Sequence, residues 1–282
     1  MKQKIAIQGE LGSYSHLAAT KIFKNLEVIT CKTFEDVFLA VKNDNNIKTV
    51  IPIENSIAGR VADVHYLLPK YKLNIVGEYF NQVHHCLLSI QEANISDIKI
   101  VKSHAHAIGQ CQNKINKYKF STIIEADTAG AAKKLKEDPK KDIGVIASEL
   151  AAEIYNLKIL EKGFEDISGN TTRFLIMSSD KPDKEITYDK SKKYLTTCIF
   201  KLKSIPAALY KSLGGFAENE VNLTKLESFS VSNSFDQALF YLDIEGHFLE
   251  NKVQASIEKL KEHTETIDIL GVYEASNYRF AN

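Results

Sequence analysis

KIAIQGELGSYSHLAATKIF, residues 4–23, combines a β-rich run, a polar turn and a helical pattern in twenty residues. In its second half Tyr14, Leu17, Ala18 and Ile22 fall at the spacing that places them on one face of a helix. The next helical pattern, TFEDVFLAVKN, opens with Thr33 and Asp36, which resemble a capping box. Further β-rich runs are EVITC, TVIPIEN, IKIVKSH, STIIEA and DIGVIAS. This alternation predicts α/β layers around a mostly parallel sheet.

The segment SSDKPDKEITYDKSKK, residues 178–193, is rich in charge and turn formers, which predicts a linker. After it, strand and helix patterns follow in the order βαββαβ, the ferredoxin-like arrangement. The helices carry Leu209, Leu213 and Phe216, then Val253, Ile257 and Leu260, while Ala238, Phe240, Leu242 and Ile244 alternate along one strand. We therefore expect a first domain at residues 1–180, a linker at 181–193 and a second domain at 194–276.

The overall charge excludes some classes of partner. With 36 basic and 36 acidic side chains, the formal net charge is zero, so no overall field favours nucleic acid. No run of 18 apolar residues predicts a membrane span. The four cysteines lack CxxC spacing, and neither His84-His85 nor His104-x-His106 puts two rings on one helical face. We expect a soluble, cytoplasmic protein with free thiols and without a bound metal.

Only three residues, Arg60, Arg173 and Arg279, are arginines, against a large excess of lysine. A guanidinium grips a carboxylate through two parallel hydrogen bonds, which lysine cannot do. Each arginine is therefore a candidate anion clamp, although ordinary variation between basic residues explains any one of them equally well.

Polar or small residues fill several junctions that follow strands. They are GELGSYSH (9–16), ENSIAGR (54–60), SHAHAIGQC (103–111), ADTAGAA (126–132), ASELAAEIY (147–155) and GNTTRF (169–174). In open α/β sheets, ligands bind outside the carboxyl ends of strands, where helix N-termini present free N–H groups. Together these junctions predict a cleft for a small anion. Taken singly, each is explained by helix capping, and Asp127 and Thr33 are examples.

In this order, the junctions resemble the motifs of the prephenate dehydratase family. GELGSYSHLAA, PIENSIAGRV, SHAHAIGQC, DTAGAA and NTTRF are similar to its catalytic blocks, and EVNLTKLES is similar to the signature of its ACT regulatory domain. The resemblance implies a catalytic domain like the type 2 periplasmic binding proteins, with one lobe at about residues 1–75 and 160–180 and a second at about 76–159. It also implies conversion of prephenate to phenylpyruvate, water and carbon dioxide without a cofactor.

The resemblance also assigns roles to individual residues. Thr172 is placed at the leaving hydroxyl, and Arg173 either holds a carboxylate or positions the strand. Glu54 takes a structural role, paired with Arg60 or accepting backbone N–H groups. The full set of implied catalytic residues is Thr172, Arg173, Asn55 and Ser56, and the implied substrate-binding residues are Ser13, Tyr14, Ser103, Gln110, Thr128 and Asn170.

In the second domain, the residues that match a phenylalanine effector site are Ala208, Leu209, Asn222, Leu223, Glu227 and Ser228. Ala207 replaces the family's glycine, and Phe229 and Ser230 replace its arginine and proline. A methyl at residue 207 blocks close approach to the backbone, and the missing arginine removes a charged contact. We expect a folded domain that forms a homodimer or homotetramer, with weak, altered or absent phenylalanine inhibition. Tolerated variation at an intact site remains the alternative.

Two other functions are compatible with the same motifs. Arogenate dehydratase performs the same elimination on the amino acid analogue of prephenate. A non-catalytic protein that binds a small anion or amino acid would use the two-lobed fold without needing Thr172.

Overall fold

The computed structural model describes residues 2–180, 188–230 and 238–280. Within these ranges the strands are β1 Gln3–Gln8, β2 Leu26–Cys31, β3 Ile47–Asn55, β4 Gly59–Arg60, β5 Asn74–Gln82, β6 Cys86–Ser89, β7 Ile100–Ser103, β8 Ser121–Ile124, β9 Ile143–Ala147, β10 Lys158–Lys162, β11 Thr171–Ser178, β12 Tyr194–Leu202, β13 Leu223–Phe229, β14 Leu239–Glu245 and β15 Thr264–Glu274. The α-helices are α1 Tyr14–Ile22, α2 Phe34–Asn43, α3 Ala62–Tyr71, α4 Ala105–Gly109, α5 Gln112–Tyr118, α6 Thr128–Glu137, α7 Glu149–Tyr155, α8 Ala208–Glu218 and α9 Asn251–Glu262. The chain has an α/β fold.

The first sheet has the strand order β2-β1-β3-β11-β5, and the short strand β4 pairs with β3. β1 and β2 run parallel, with Ile5 opposite Val28. The polar junction after β3 folds back as a hairpin, so that Asn55 lies opposite Gly59 in an antiparallel ladder. This hairpin fixes the junction ENSIAGR beside the start of β11. Because β5 belongs to this sheet, the first group of strands extends beyond residue 75, where the predicted first lobe ends.

The second sheet has the order β10-β6-β9-β7-β8. β7 is parallel to β8 and to β9, whereas β6 is antiparallel to β9 and to β10. The prediction of a mostly parallel sheet is therefore too simple, and both kinds of pairing occur. β6 contains four residues, CLLS, all buried, so it shows no alternation that would identify a strand from sequence.

The third sheet, with the order β13-β14-β12-β15, carries α8 and α9 and realises the predicted βαββαβ order. Its core includes Phe200, Phe216 and Leu260. The alternating residues Leu242 and Ile244 of β14 are fully buried in the same core, as expected for one face of a strand.

By compactness the chain divides into two units: Met1–Val37, Val50–Arg60 and Phe80–Phe174 form unit 1, and Phe38–Thr49, Val61–Tyr79 and Leu175–Asn282 form unit 2. The second part of α2, from Phe38, and the whole of α3 thus group with the C-terminal residues. Residues 181–187 of the predicted linker lie outside the described residues. In the ranges that are described, no helix is both long enough and apolar enough to span a membrane.

Within unit 2, the C-terminal residues are tied to β5. The Glu78 carboxylate accepts hydrogen bonds from Arg279 Nε at 2.7 Å, from Arg279 Nη2 at 2.9 Å and from the Ser276 N–H at 3.0 Å. Gly271 in β15 packs so closely that a Cβ there would lie 2.1 Å from the carbonyl oxygen of Ile75. Arg279, a candidate anion clamp by its scarcity, therefore binds a carboxylate of the protein itself.

Candidate functional site

Thr172 lies at the beginning of β11, which is fastened to the end of β3. The Ser56 N–H donates to the Thr171 carbonyl at 2.8 Å, and the Thr171 N–H donates to Ser56 Oγ at 2.9 Å. Beyond Thr172 the strand is apolar, and Phe174 is almost fully buried. This packing explains why polar residues precede a buried strand: the strand anchors them, and they face the junction after β3.

The Asn55 carboxamide sets the orientation of Thr172. Its Oδ1 accepts the N–H groups of Ile57 at 3.0 Å and Ala58 at 2.9 Å. Its Nδ2 must therefore point the other way, where it donates to Asn170 Oδ1 at 2.6 Å and to Thr172 Oγ1 at 2.9 Å. Thr172 Oγ1 acts as an acceptor here, and no group among the described residues accepts its hydrogen. The hydroxyl hydrogen of Thr172 is left available as a donor.

The hydrogen bonds continue from Asn170 to residues of other junctions. Gln110 Oε1 accepts from Asn170 Nδ2 at 2.9 Å and lies 2.9 Å from His85 Nε2. An amide oxygen only accepts, so His85 carries its hydrogen on Nε2 and its Nδ1 is an acceptor. Tyr14 Oη lies 2.7 Å from His85 Nδ1 and 3.0 Å from the carbonyl oxygen of His84. The Tyr14 hydroxyl donates its hydrogen to His85 Nδ1, the nearer acceptor.

Six side chains thus form one set of directed hydrogen bonds, which we call the site network: Tyr14, His85, Gln110, Asn170, Asn55 and Thr172. Five of them are predicted site residues. The sixth, His85, is not a predicted site residue, since the His84-His85 spacing fits no metal site. Its adjacency to His84 gave no functional signal, since the strand-end position of His85 becomes clear only when β5 and β6 are known.

Burial controls the protonation of the network. It lowers the pKa of His85 below the ordinary value, against the opposing effects of the Gln110 hydrogen bond and of Glu165. It also raises the pKa of Tyr14 well above 10.0, with smaller contributions from Cys86, Cys111 and Glu165. His85 is therefore neutral and Tyr14 remains a hydrogen-bond donor at neutral pH.

Arg173 is almost fully buried, and its Nη1 lies 3.2 Å from Glu54 Oε1. Glu54 also lies directly opposite Arg60, its partner in the sequence interpretation, in the β3–β4 ladder. A buried guanidinium held by a carboxylate favours the interpretation that Arg173 positions the strand.

The first junction, residues 9–13, packs on α7. The Ser148 hydroxyl donates to the Gly12 carbonyl at 2.6 Å. Gly12 has φ +88, and a Cβ at this position would lie 2.7 Å from the Cα of Ala151, so both conformation and space require glycine. The next residue, Ser13, accepts the His16 N–H at 3.3 Å as the N-cap of α1. The capping interpretation therefore holds for Ser13, whose own hydroxyl hydrogen is still available.

Besides Ser13, two further predicted substrate-binding residues, Ser103 and Thr128, lie outside the site network. Ser103 is fully buried, and its hydroxyl donates to the Ile146 carbonyl at 2.6 Å, which joins β7 to β9. The hydroxyl hydrogen of Ser103 is thus used within the protein, and its contact with substrate stays a prediction. Thr128 is the first residue of α6, after the N-cap Asp127, whose carboxylate accepts the Gly130 N–H at 2.6 Å.

The predicted effector residues surround the start of α8 and lie along β13. Ala207, the N-cap of α8, has the left-handed φ of 59°. Ala208 is buried, whereas Leu209 and Leu223 are partly buried against the core of the third sheet. Glu227 Oε2 lies 3.8 Å from Lys225 Nζ. Asn222 and Ser228 are exposed.

Phe229 does not occupy an exposed effector position. It is buried, and its ring lies 5.7 Å from that of His65 on α3, in an edge-on arrangement. Ser230, the other departure from the family pattern, is exposed. As for metals, the residues that the structure describes contain no group of three or more His, Cys, Asp or Glu side chains able to hold an ion.

Comparisons with known proteins identify the family of the chain. The family model of prephenate dehydratase matches residues 5–182. A relative from Komagataeibacter europaeus, named bifunctional N-acyl-homoserine lactone acylase/prephenate dehydratase, is 38% identical over 275 residues, which are 98% of this chain and 97% of the relative. Arogenate dehydratase/prephenate dehydratase 1 of Arabidopsis thaliana is 36% identical over 286 residues, which are 96% of this chain and 72% of the relative.

The fold is similar to that of a solved prephenate dehydratase from Arthrobacter aurescens in complex with L-Phe, with a TM-score of 0.86 and 23% identity over 96% of this chain and 89% of that one. At that identity the similarity concerns the fold, whereas the family match and the relatives concern the sequence. Together they establish that the chain belongs to the prephenate dehydratase family, the hydro-lyases of phenylalanine biosynthesis.

Proposed function

We propose that this protein converts prephenate to phenylpyruvate, carbon dioxide and water, with Thr172 as the donor to the leaving hydroxyl. The observation that carries the proposal is the Asn55–Thr172 hydrogen bond of 2.9 Å, in which the threonine oxygen is the acceptor. A hydroxyl fixed in this way directs its hydrogen elsewhere. It also becomes a better donor, because hydrogen bonds in a row polarise one another.

The chemistry requires only modest help from the protein. The bond between the quaternary ring carbon and its carboxylate breaks, and its electron pair forms a ring double bond as carbon dioxide leaves. The carbon–oxygen bond across the ring breaks at the same stage, and the departing oxygen gains a proton to become water. Thr172 donates a hydrogen bond that strengthens as negative charge grows on this oxygen, and the proton comes ultimately from solvent. Aromatisation supplies the driving force, so the proposal includes no cofactor.

The substrate carries two carboxylates, and the remaining donors suit them. No acceptor among the described residues takes a hydrogen from Gln110 Nε2, since only its Oε1 is engaged. Ser56 and Ser13 each accept one backbone N–H and keep their own hydroxyl hydrogen. We assign these three groups to the carboxylates or to the keto oxygen of the pyruvyl side chain, and leave Thr128 as a further donor at the start of α6.

Arogenate, which bears an amino group in place of the keto oxygen, is the second candidate substrate. The specific observation in its favour is that the plant relatives with 33–36% identity are named for arogenate or for both substrates. Both molecules share the leaving hydroxyl and the ring carboxylate, so the role of Thr172 is the same for either.

We also propose the domain organisation of the family. In this proposal the catalytic part, residues 1–180, has two lobes like the type 2 periplasmic binding proteins, and residues 194–276 form an ACT domain. The βαββαβ order of the third sheet supports the second assignment. We further propose a homodimer or homotetramer in the cytoplasm, where the free cysteines, three of them buried, would remain reduced.

Phenylalanine is the proposed effector, because a relative of the same fold is described in complex with L-Phe. We expect its inhibition here to be weak, altered or absent. Ala207 adds a methyl to the start of α8, and the buried Phe229 offers no charge to a ligand.

The decisive experiment measures turnover of prephenate and of arogenate by the unaltered protein, by Thr172→Ala and by Thr172→Ser. We expect Thr172→Ala to lose about 100-fold or more in kcat, as for removal of a placed acid, and Thr172→Ser to retain most activity because it keeps the hydroxyl. Calorimetric binding of either substrate without turnover would instead indicate a binding protein. Near-normal turnover by Thr172→Ala would contradict the proposal that Thr172 donates to the leaving hydroxyl.

A further inference from the structure

His85 is more firmly held than its place in a connection between two strands suggests. Its N–H donates to Glu165 Oε2 at 2.8 Å, and its carbonyl accepts the Phe164 N–H at 2.8 Å. The side chain is almost fully buried, and its ring meets that of Tyr14 edge-on at 5.6 Å. Backbone and ring are thus both fixed, so that Nε2 points at Gln110 and Nδ1 at Tyr14.

The groups at the two ends of the site network determine which atom donates and which accepts in each of its hydrogen bonds. At one end the Asn55 carboxamide cannot turn over, because its oxygen accepts two backbone N–H groups. At the other end the His85 Nε2–H needs an acceptor, which is Gln110 Oε1. If Gln110 turned over, its NH₂ would face the NH₂ of Asn170 as well as the His85 N–H, and two donors that face each other lose their hydrogen bond.

We propose that His85, as its Nε2–H tautomer, is a positioning residue for the dehydration: it holds the Gln110 carboxamide in one orientation, which keeps Asn170 Oδ1 turned toward Asn55 Nδ2 and so supports the amide group that holds the Thr172 oxygen. This inference rests on the proposed function for the identity of the reaction. The orientation of the Gln110 carboxamide is independent of the proposed function, because it exists in the protein without substrate. Tyr14 is compatible with this tautomer, because its hydroxyl lies 2.7 Å from Nδ1 and can donate to an unprotonated nitrogen.

Two substitutions at residue 85 separate the hydrogen bond from the volume of the ring. A glutamine reaches as far as the imidazole Nε2 and brings an amide N–H near Gln110 Oε1. An asparagine is one carbon shorter, so its polar atoms lie near the position of Nδ1 and the donor to Gln110 is lost. His84→Gln is the matched control, since the side chain of His84 is largely exposed and contacts Glu165 outside the network.

With the preferred substrate, we expect His85→Gln and His84→Gln to stay within about 3-fold of the unaltered kcat, and His85→Asn to lose about 10-fold or more. KM should change less than about 3-fold throughout, because the Thr172 hydrogen bond matters mainly in the transition state. Equal losses in the glutamine and asparagine variants, or a raised KM with unchanged kcat, would contradict the proposal.

A spectroscopic readout tests the orientation without any substrate. The ¹⁵N chemical shifts of a histidine ring distinguish the nitrogen that carries hydrogen from the one that does not. We expect a protonated Nε2 and an unprotonated Nδ1 for His85 at pH 7.5, and the same tautomer in Tyr14→Phe, because Gln110 Oε1 still accepts from Nε2. An Nδ1–H tautomer in the unaltered protein would overturn the inference even if turnover is normal. If neither substrate is consumed, the proposed function fails while this measurement still decides the orientation.

Discussion

At the scale of single residues, the site is defined by the directions of its hydrogen bonds. Asn55 donates both amide hydrogens and accepts two backbone N–H groups, so its carboxamide is fully engaged within the protein. The family resemblance implies that Asn55 is a catalytic residue. Its saturated bonding favours a positioning role instead, and makes Thr172 the group whose hydrogen remains available.

Replacing Asn55 with aspartate tests this distinction. The carboxylate still accepts the backbone N–H groups of Ile57 and Ala58, but it cannot donate to Thr172. The threonine hydroxyl would then donate to the aspartate, and we expect kcat to fall by about 10-fold to 100-fold. Steady-state kinetics provide the measurement, and Asn25→Asp, which alters an exposed residue in the same way, is the control. A kcat unchanged by Asn55→Asp would rule out the positioning role.

The residue scale also shows what sequence patterns cannot supply. The motifs identified Tyr14, Gln110, Asn170, Asn55 and Thr172, which the structure joins in one network. They did not identify His85, because its role depends on which nitrogen faces which partner. They did not identify the pairing of Glu54 with Arg173, because it depends on the pairing of β3 with β11, which no local pattern records.

At the scale of elements, local signals were sufficient where the stabilising contacts are local. Thr33 and Asp36 form the predicted capping box at α2, with both hydrogen bonds at 3.1 Å. The strands β5, β6 and β10 were not predicted as separate elements. β6 and β10 are held by antiparallel pairing with each other, between residues about 70 positions apart, such as Ser89 and Lys158. Contacts between residues so far apart produce no local hydrophobic periodicity that would identify these strands from the sequence.

The start of α8 carries conformational strain that substitution can relieve. Ala207 has φ 59°, a left-handed conformation that costs an L-residue about 1–2 kcal/mol, whereas glycine adopts it freely. After the entropic cost of glycine, about 0.5–1 kcal/mol, we expect Ala207→Gly to raise the free energy of unfolding by up to about 1 kcal/mol. Denaturant unfolding measures this change.

The neighbouring residue provides the control for that prediction. Ala208 begins α8 and is buried, so Ala208→Gly should lower stability by about 0.5–1 kcal/mol. If Ala207→Gly and Ala208→Gly both lower the free energy of unfolding, the left-handed conformation of residue 207 does not strain the folded protein. The same Ala207→Gly variant also restores the glycine of the family pattern, which removes the methyl next to the proposed effector site.

At the scale of the whole molecule, several histidines affect stability in the same direction. Burial lowers the pKa of His16, His85, His104 and His247 below the ordinary value. The unfolded chain therefore binds protons more readily than the folded one. Their contribution to stability is complete above the unfolded pKa of about 6.5 and is lost as the pH falls through the lower folded values.

We accordingly expect the melting temperature to fall steadily between pH 7.5 and pH 5. Most carboxylates stay ionised in this range, so the histidines dominate the change. Differential scanning calorimetry at a series of pH values provides the measurement. A melting temperature that is constant or rises on acidification would show that these histidines are not held in the neutral form.

The hydrogen bonds between Glu78 and Arg279 limit where the chain can be divided into separate fragments. A chain cut anywhere in residues 181–193 would lack Arg279 and the Ser276 N–H, and would leave a carboxylate that is now fully enclosed facing water or vacant space. It would also uncover the part of β5 on which Gly271 packs. The N-terminal fragment would therefore expose a surface that the C-terminal residues normally cover. Exchange of the C-terminal module between relatives would succeed only where the residues on both sides of this contact come from the same parent.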